Sequence, residues 1–259
     1  MKKQVGKGSG SIQVIDRMAH LLEAIDRYTH PVSLKILSAE TGLHPSTAFR
    51  ILNSLVRHSF VERDEAGGYQ LGRRLLQLGA RVSSGIDLRQ EALPFMSELR
   101  DLTGETVNLT VREGDEVIYV ERATPNRMMR VEQVVGSRAP LHVTAVGKLM
   151  LGAEGDEATL DYARRTGLPA YTRNTLNDPE RLIEAAHRAV ADGYAYDDEE
   201  AELGVGCLGT VVRDATGAVV AGLSISAPIE RRRDEWIASL SSVADRLSER
   251  LGYRGEPED

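Results

Sequence analysis

The 259-residue sequence predicts an α+β protein in two parts, a small N-terminal winged helix-turn-helix and a larger C-terminal domain of strands flanked by helices. Three observations carry this reading. The first eighty residues hold three short helical stripes followed by a two-strand pattern. The remainder alternates strand patterns with amphipathic helices that open and close it. Charge is also split: the net charge is −7, yet residues 1–80 carry 11 Lys and Arg against 7 Asp and Glu, which gives +4 there and −11 beyond. A basic part that can face phosphates and an acidic remainder repelled by them favour one docking orientation on nucleic acid.

The bulk properties exclude other classes. A hydrophobic content of 41% with 5% aromatics suits a globular chain, and no apolar run approaches the roughly 18 residues that span a bilayer. No membrane segment is expected. The opening MKKQVGKGSGS is basic but lacks the apolar stretch of a secretory signal, so residues 1–10 read as a flexible tail and the protein is expected in the cytoplasm. A single cysteine, Cys207, excludes an intramolecular disulfide and an all-cysteine zinc cluster.

In the N-terminal part, Ile15, Met18, Leu22 and Ile25 fall at helical spacing, which predicts a helix from Ser11 to Tyr28 that stops before Pro31. Ser33 is a good N-cap for a second helix ending at Gly42, where a left-handed residue commonly closes a helix. Leu43 and His44 make the turn. Pro45 then starts a third helix with an apolar face of Ala48, Ile51, Leu52, Leu55 and Val56. Its opposite face offers small hydroxyls for close approach, an arginine able to grip guanine with two hydrogen bonds, and polar groups for phosphates. Phe60–Arg63 and Tyr69–Leu71 read as two short strands around Gly67-Gly68, the wing. The expected DNA contacts are Ser33, Ser46, Thr47, Phe49, Arg50, Asn53, Arg57 and Tyr69, with Arg50 the leading base reader.

Leu75, Leu78, Gly79, Val82 and Ile86 recur at helical intervals and suit a linking helix with one apolar face. Another helix follows from Asp87 to about Leu102, closed near Gly104. Val107, Leu109 and Val111 alternate with polar residues, as do Ile118 and Val120 beyond the Glu113-Gly114-Asp115 turn, so an antiparallel hairpin is expected, with Met128–Val135 as a third strand. Thr144 is placed to cap a helix to about Leu151, leaving backbone N–H groups of Ala145 and Val146 at a positive end suited to carboxylates and other acceptors. Helices over Asp156–Thr166 and Pro179–Ala191 come next, then a hairpin of Val205–Val212 and Val219–Ser226. A closing helix carries Trp236, Leu240, Val243, Leu247 and Leu251.

The stretch from SIQVIDRMAHLLEAI to LSAETGLHPSTAFRILNSLVRHSFVERDEAGGYQLG resembles the winged helix-turn-helix of IclR-type transcription regulators. PLHVTAVGK and GYAYDDEEAELGVGCLGTVVRDATGAVVAGLSISAP resemble the two halves of that family's effector pocket, and the resemblance covers residues 11–252. It implies a winged helix-turn-helix over 11–73, a linker helix over 74–88 and a GAF-like effector-binding and oligomerisation domain over 89–259. It also implies a homodimer or homotetramer, double-stranded operator DNA as partner, and control of catabolic genes by a small organic effector, with no cofactor or metal. Carried over position by position, the effector pocket is lined by Met128, Val131, Ala139, Ala145, Val146, Asp197, Val205, Cys207, Ser224 and Ser226. Ser224 and Ser226 lie two apart on one strand and face the same side. A carboxylate at Asp197 argues for a ligand that also brings an N–H or O–H donor. Ala145-Val146 and Gly209-Thr210 depart from the family's commoner residues, which bears on the ligand's identity.

Other motifs fail their context. Gly204-Val-Gly206-Cys-Leu-Gly209 fits a dinucleotide fingerprint, but a β-rich segment follows it instead of a helix. Gly147-Lys148 lacks the first glycine and the Ser/Thr of a phosphate loop, and Asp197–Glu200 reads as a solvated acidic turn. Cys207 with His142 and Asp197 supplies the alternative, a small-molecule-processing enzyme with a cysteine nucleophile.

Overall fold

The computed structural model describes residues 12–83 and 85–255. The chain divides into two compact units, one ending at Ile86 and the next beginning at Asp87. The basic tail expected over residues 1–10 lies outside the described residues.

The first unit packs α1 (Gln13–Asp26), α2 (Leu34–Thr41) and α3 (Pro45–Arg57) around Leu21, Leu37, Leu52 and Leu55, and closes with the hairpin β1 (Val61–Arg63) and β2 (Tyr69–Leu71). Local chemistry sets the boundaries. Ser33 Oγ accepts the Ile36 N–H, Gly42 takes a left-handed φ of 65°, and Pro45 opens α3. The α3 cap is His44, which the sequence assigns to the turn: its Nδ1 accepts the Ser46 N–H. Tyr69 exchanges backbone hydrogen bonds with Val32, which joins the wing to the segment before α2. The helix α4 (Arg73–Ser83) follows, with no described residue buried.

The second unit is one six-stranded antiparallel sheet in the order β5-β4-β3-β8-β7-β6. Its strands are β3 (Thr106–Glu113), β4 (Glu116–Ala123), β5 (Arg138–Pro140), β6 (Ala195–Asp198), β7 (Val205–Arg213) and β8 (Val219–Pro228). The helices α5 (Leu88–Thr103) and α9 (Trp236–Arg250) pack on the sheet and on each other, joined at their surface by Arg246 to Glu98 and Arg250 to Glu91. The helices α6 (Ala145–Glu154), α7 (Asp156–Thr166) and α8 (Pro179–Asp192) form a second group, of which α6 touches the sheet most closely. A Cβ on Gly222 would lie 2.6 Å from Val146, and one on Gly209 2.8 Å from it. Glycine on both strands is what lets the first turn of α6 approach the sheet.

The expected third strand, Met128–Val135, is a correction. Residues 124–137 form no strand and run as an irregular strap. Polar contacts hold it: Thr106 Oγ1 donates to Val131 O at 2.6 Å, Arg122 to Gln133 O at 2.6 Å, and Arg231 to Met129 O at 3.1 Å. Strand pairing with β4 is made instead by β5, three residues long. The short edge strand β6 comes from an acidic segment that the sequence reads as a turn.

Candidate functional site

The exposed face of α3 is the first candidate. Ser46, Phe49, Arg50 and Arg57 are exposed, Thr47 and Asn53 half-buried, and Ser33 is exposed at the start of α2. Thr47, Arg50, Asn53 and Arg57 border an open groove shared with Arg17 of α1 and His58, two residues that the sequence reading passed over. Among the described residues neither Arg50 nor Arg57 is engaged in an ion pair, so both guanidinium groups are available to a polyanion. Tyr69 is a correction: its ring lies in the core at 1% exposure and its hydroxyl has no hydrogen-bond partner. Its backbone bridge to Val32 turns the side chain inward. The exposed cation at that point of the wing is Arg63, whose guanidinium stands 5.4 Å over the Tyr69 ring.

In the second unit, strand register brings polar side chains onto one face of the sheet. Asp197 pairs with Cys207, Cys207 with Ser226 and Ser226 with Thr106; beside this row Gly209 pairs with Ser224 and Ser224 with Asn108. Partners across an antiparallel ladder point to the same side, so these groups share the face on which α6 begins. A cavity of about 60 Å³ lies there, lined by Ala139, Thr144, Ala145, Val146, Asp197, Val205, Cys207 and Ser224, together with Thr110, Tyr119, Gln133, Ala201 and Glu202. Thr144 Oγ1 accepts the Gly147 N–H at 3.1 Å and so caps α6 at the cavity. Ser226 sits just behind, its Oγ 3.2 Å from Cys207 Sγ and accepting from Asn108 Nδ2 at 3.0 Å.

Met128 and Val131 are corrections to the pocket. Met128 is fully exposed and Val131 half-buried, and neither lines the cavity, because the strap is held by its polar contacts and not by strand pairing. Gln133 is the strap residue that reaches the cavity, and Asn108 Nδ2 donates to its side chain at 3.2 Å. Gln133, Tyr119 and Thr110 were missed from the sequence. A signal existed for Thr110: Thr106, Asn108 and Thr110 place polar groups at every second position of a strand that is buried on both faces.

Burial shapes the electrostatics of the cavity. Asp197, 3% exposed, is pushed up to about 6, chiefly by desolvation and further by the nearby Glu200 charge. Its Oδ1 accepts the Glu200 N–H at 2.8 Å, and Glu200 in turn holds Lys148 Nζ at 2.6 Å in a buried ion pair. The Cys207 thiol is pushed up by burial and by Asp197, so it stays protonated. His142 does not join it. Its Nδ1 lies 2.7 Å from the Tyr162 hydroxyl and its Nε2 3.1 Å from Pro169 O, and burial lowers its pKa. A protonated thiol and a histidine engaged elsewhere leave Cys207 without an activating base.

A winged helix-turn-helix in one unit and a curled sheet with an internal cavity in the other are the build of a ligand-responsive transcription regulator. The comparisons with known proteins agree. The model of the IclR helix-turn-helix domain matches residues 14–65, and that of the bacterial transcriptional regulator IclR C-terminal domain matches residues 80–250. The HTH-type transcriptional repressor AllR of Escherichia coli K12 is 31% identical over 250 residues, covering 95% of this chain and 92% of that protein. Among solved structures, the Agrobacterium tumefaciens repressor BlcR superposes with a TM-score of 0.73 at 27% identity, covering 93% of this chain and 98% of that one. An IclR homolog complexed with 4-hydroxybenzoate from Microbacterium hydrocarbonoxydans gives a TM-score of 0.60 at 26% identity, over 92% and 98% of the two chains. The chain belongs to the IclR family of bacterial transcriptional regulators. It is a regulator that binds DNA and responds to a ligand, and the reading of Cys207 as the nucleophile of an enzyme finds no support in the family or its members. Among the described residues no helix is long and apolar enough to cross a membrane.

Proposed function

We propose that the protein is a repressor of catabolic genes that binds a pseudo-palindromic operator as a dimer or dimer of dimers and responds to a small organic acid. In this reading residues 11–73 bind DNA, 74–88 link, and 89–259 sense and oligomerise. Ser33, Ser46, Thr47, Phe49, Arg50, Asn53 and Arg57 make the DNA contacts, Arg50 reading a base edge. The effector sits among Ala139, Ala145, Val146, Asp197, Val205, Cys207 and Ser224, with Ser226 behind them.

One observation carries the ligand class: the capped start of α6 opens on a cavity that also holds a serine hydroxyl and a carboxyl raised to about 6. Backbone N–H groups at a helix start donate to a carboxylate or carbonyl oxygen, while Asp197 asks for a ligand hydroxyl or N–H. A hydroxy acid supplies both. Of that class, 4-hydroxybenzoate is bound by the Microbacterium homolog. A cavity of about 60 Å³ suits a compact hydroxy acid, and an aromatic one requires Tyr119 or Gln133 to move aside.

The test is a thermal-shift screen of aliphatic and aromatic hydroxy acids and their amides, since a ligand that binds only the native state raises its stability with occupancy. A selective binder is expected, one that alters operator affinity in wild type but not in Ser224→Ala. A response kept intact in Ser224→Ala removes the serine from the pocket, and a screen without a binder removes the ligand class.

A further inference from the structure

The geometry points to a second ligand site in the C-terminal unit, an anion-binding cleft beside the edge strand β6 that takes a small dianion, a phosphate or a dicarboxylate. The cleft has a volume of about 520 Å³ and lies between α8, the loop before it and β6. Ligand pockets commonly run from about 300 to 1,000 Å³.

Three arginines line it. Arg181 and Arg188 stand seven residues apart on α8 and so share a face, and Arg173 joins them from the loop. Among the described residues none of the three guanidinium groups has a hydrogen bond or an ion pair. Elsewhere in this unit Arg112, Arg122, Arg165, Arg232 and Arg246 each hold a carboxylate. The acidic groups at the cleft are mostly engaged as well: Asp198 is held by Arg232 and Glu200 by Lys148, which leaves Asp192. Three uncommitted guanidinium groups against one uncommitted carboxylate leave an excess of two positive charges, which a dianion neutralises through charge-assisted hydrogen bonds.

A second observation is independent of the arginines. Glu200 lines the cleft, is 6% exposed, and its Oε2 has no hydrogen-bond partner. A buried carboxylate oxygen without a donor is costly. A ligand that brings one hydroxyl with its negative charges, as hydrogen phosphate or a hydroxy-dicarboxylate does, satisfies both the arginines and Glu200. The cleft is separate from the cavity at α6, although the turn from Asp197 to Glu200 borders both.

Calorimetric titration of the full chain with inorganic phosphate, succinate and malate tests this. Saturable binding of at least one probe below about 10 mM is expected, weakened tenfold or more in R181Q/R188Q and unchanged in S224A. The pattern across probes separates phosphate from dicarboxylate, and malate binding above succinate that persists in S224A reports the hydroxyl on Glu200. Because both arginines are exposed, the double variant is expected to keep the wild-type unfolding midpoint without ligand. Absence of saturable binding for all three probes overturns the site, as does equal affinity in R181Q/R188Q. Loss of binding in S224A places the anion in the cavity at α6 and overturns it too.

Discussion

At the scale of single residues, Asp197 is a buried acid whose protonation the fold moves toward neutral pH. Its carboxyl is raised to about 6, with burial the largest cause and Glu200 adding to it against the partial opposition of Lys148. A folded value above the unfolded one means that the protonated carboxyl contributes its full stability below about pH 4 and loses it as the pH climbs through about 6. Above that, the folded protein carries a buried charge at a cost. Asp197→Asn removes the titration while keeping a side-chain oxygen for the Glu200 N–H. The variant is expected to gain on wild type by about 2–3 kcal/mol between about pH 4 and pH 8. Urea unfolding of both proteins across that range checks it, and a difference independent of pH refutes the assignment.

At the scale of elements, the strap of residues 124–137 hangs on one buried acid. Glu105 is 1% exposed and holds Arg231 through both oxygens, at 2.7 and 2.8 Å, and Arg127 at 2.8 Å. Arg231 also donates to Met129 O, so this ion group pins the strap whose Gln133 reaches the cavity. Glu105→Gln leaves the shape but withdraws the charge from two guanidinium groups. A loss of about 2 kcal/mol is expected, below the roughly 3–5 kcal/mol of a fully buried pair because both arginines keep partial access to water. Hydrogen exchange is expected to speed up across 124–136 and not in α6; unchanged exchange there means the strap is held otherwise. The same strap marks where sequence reasoning stopped. Helices with local caps, such as those begun by Ser33, Pro45, Thr144 and Asp178, are legible because neighbours decide them. The strap depends on partners from 11 to 102 residues away, and no periodicity reports such contacts. Its apolar residues Met128, Val131, Val134 and Val135 imitate a strand, whereas the strand β6 reads as an acidic turn. Of the ten expected pocket residues, seven line the cavity and Ser226 touches one of them; the two that do not, Met128 and Val131, both lie on the strap.

At the scale of the whole molecule, α4 gives the strongest physical reason for association. It has 11 residues, none of those described buried, and on one face it exposes Leu78 at 40% and Val82 at 66%. An isolated helix of that length is marginal in water, because nucleation is costly and its stability comes from packing an apolar face. Were α4 of a second copy to cover the face, it would supply that packing and tie two winged helices together at once. An operator with two half-sites then gains affinity from the pair, since the second half-site is met at the effective concentration set by the tether. Leu78→Ser with Val82→Ser is expected to shift sedimentation toward the monomer and to weaken full-operator binding by tenfold or more, while binding to a single half-site stays within about twofold. Equal loss on full and half operators means that the substitutions damaged the winged helix itself. An unchanged sedimentation profile means that another surface pairs the subunits, with α4 left to serve only as a connector.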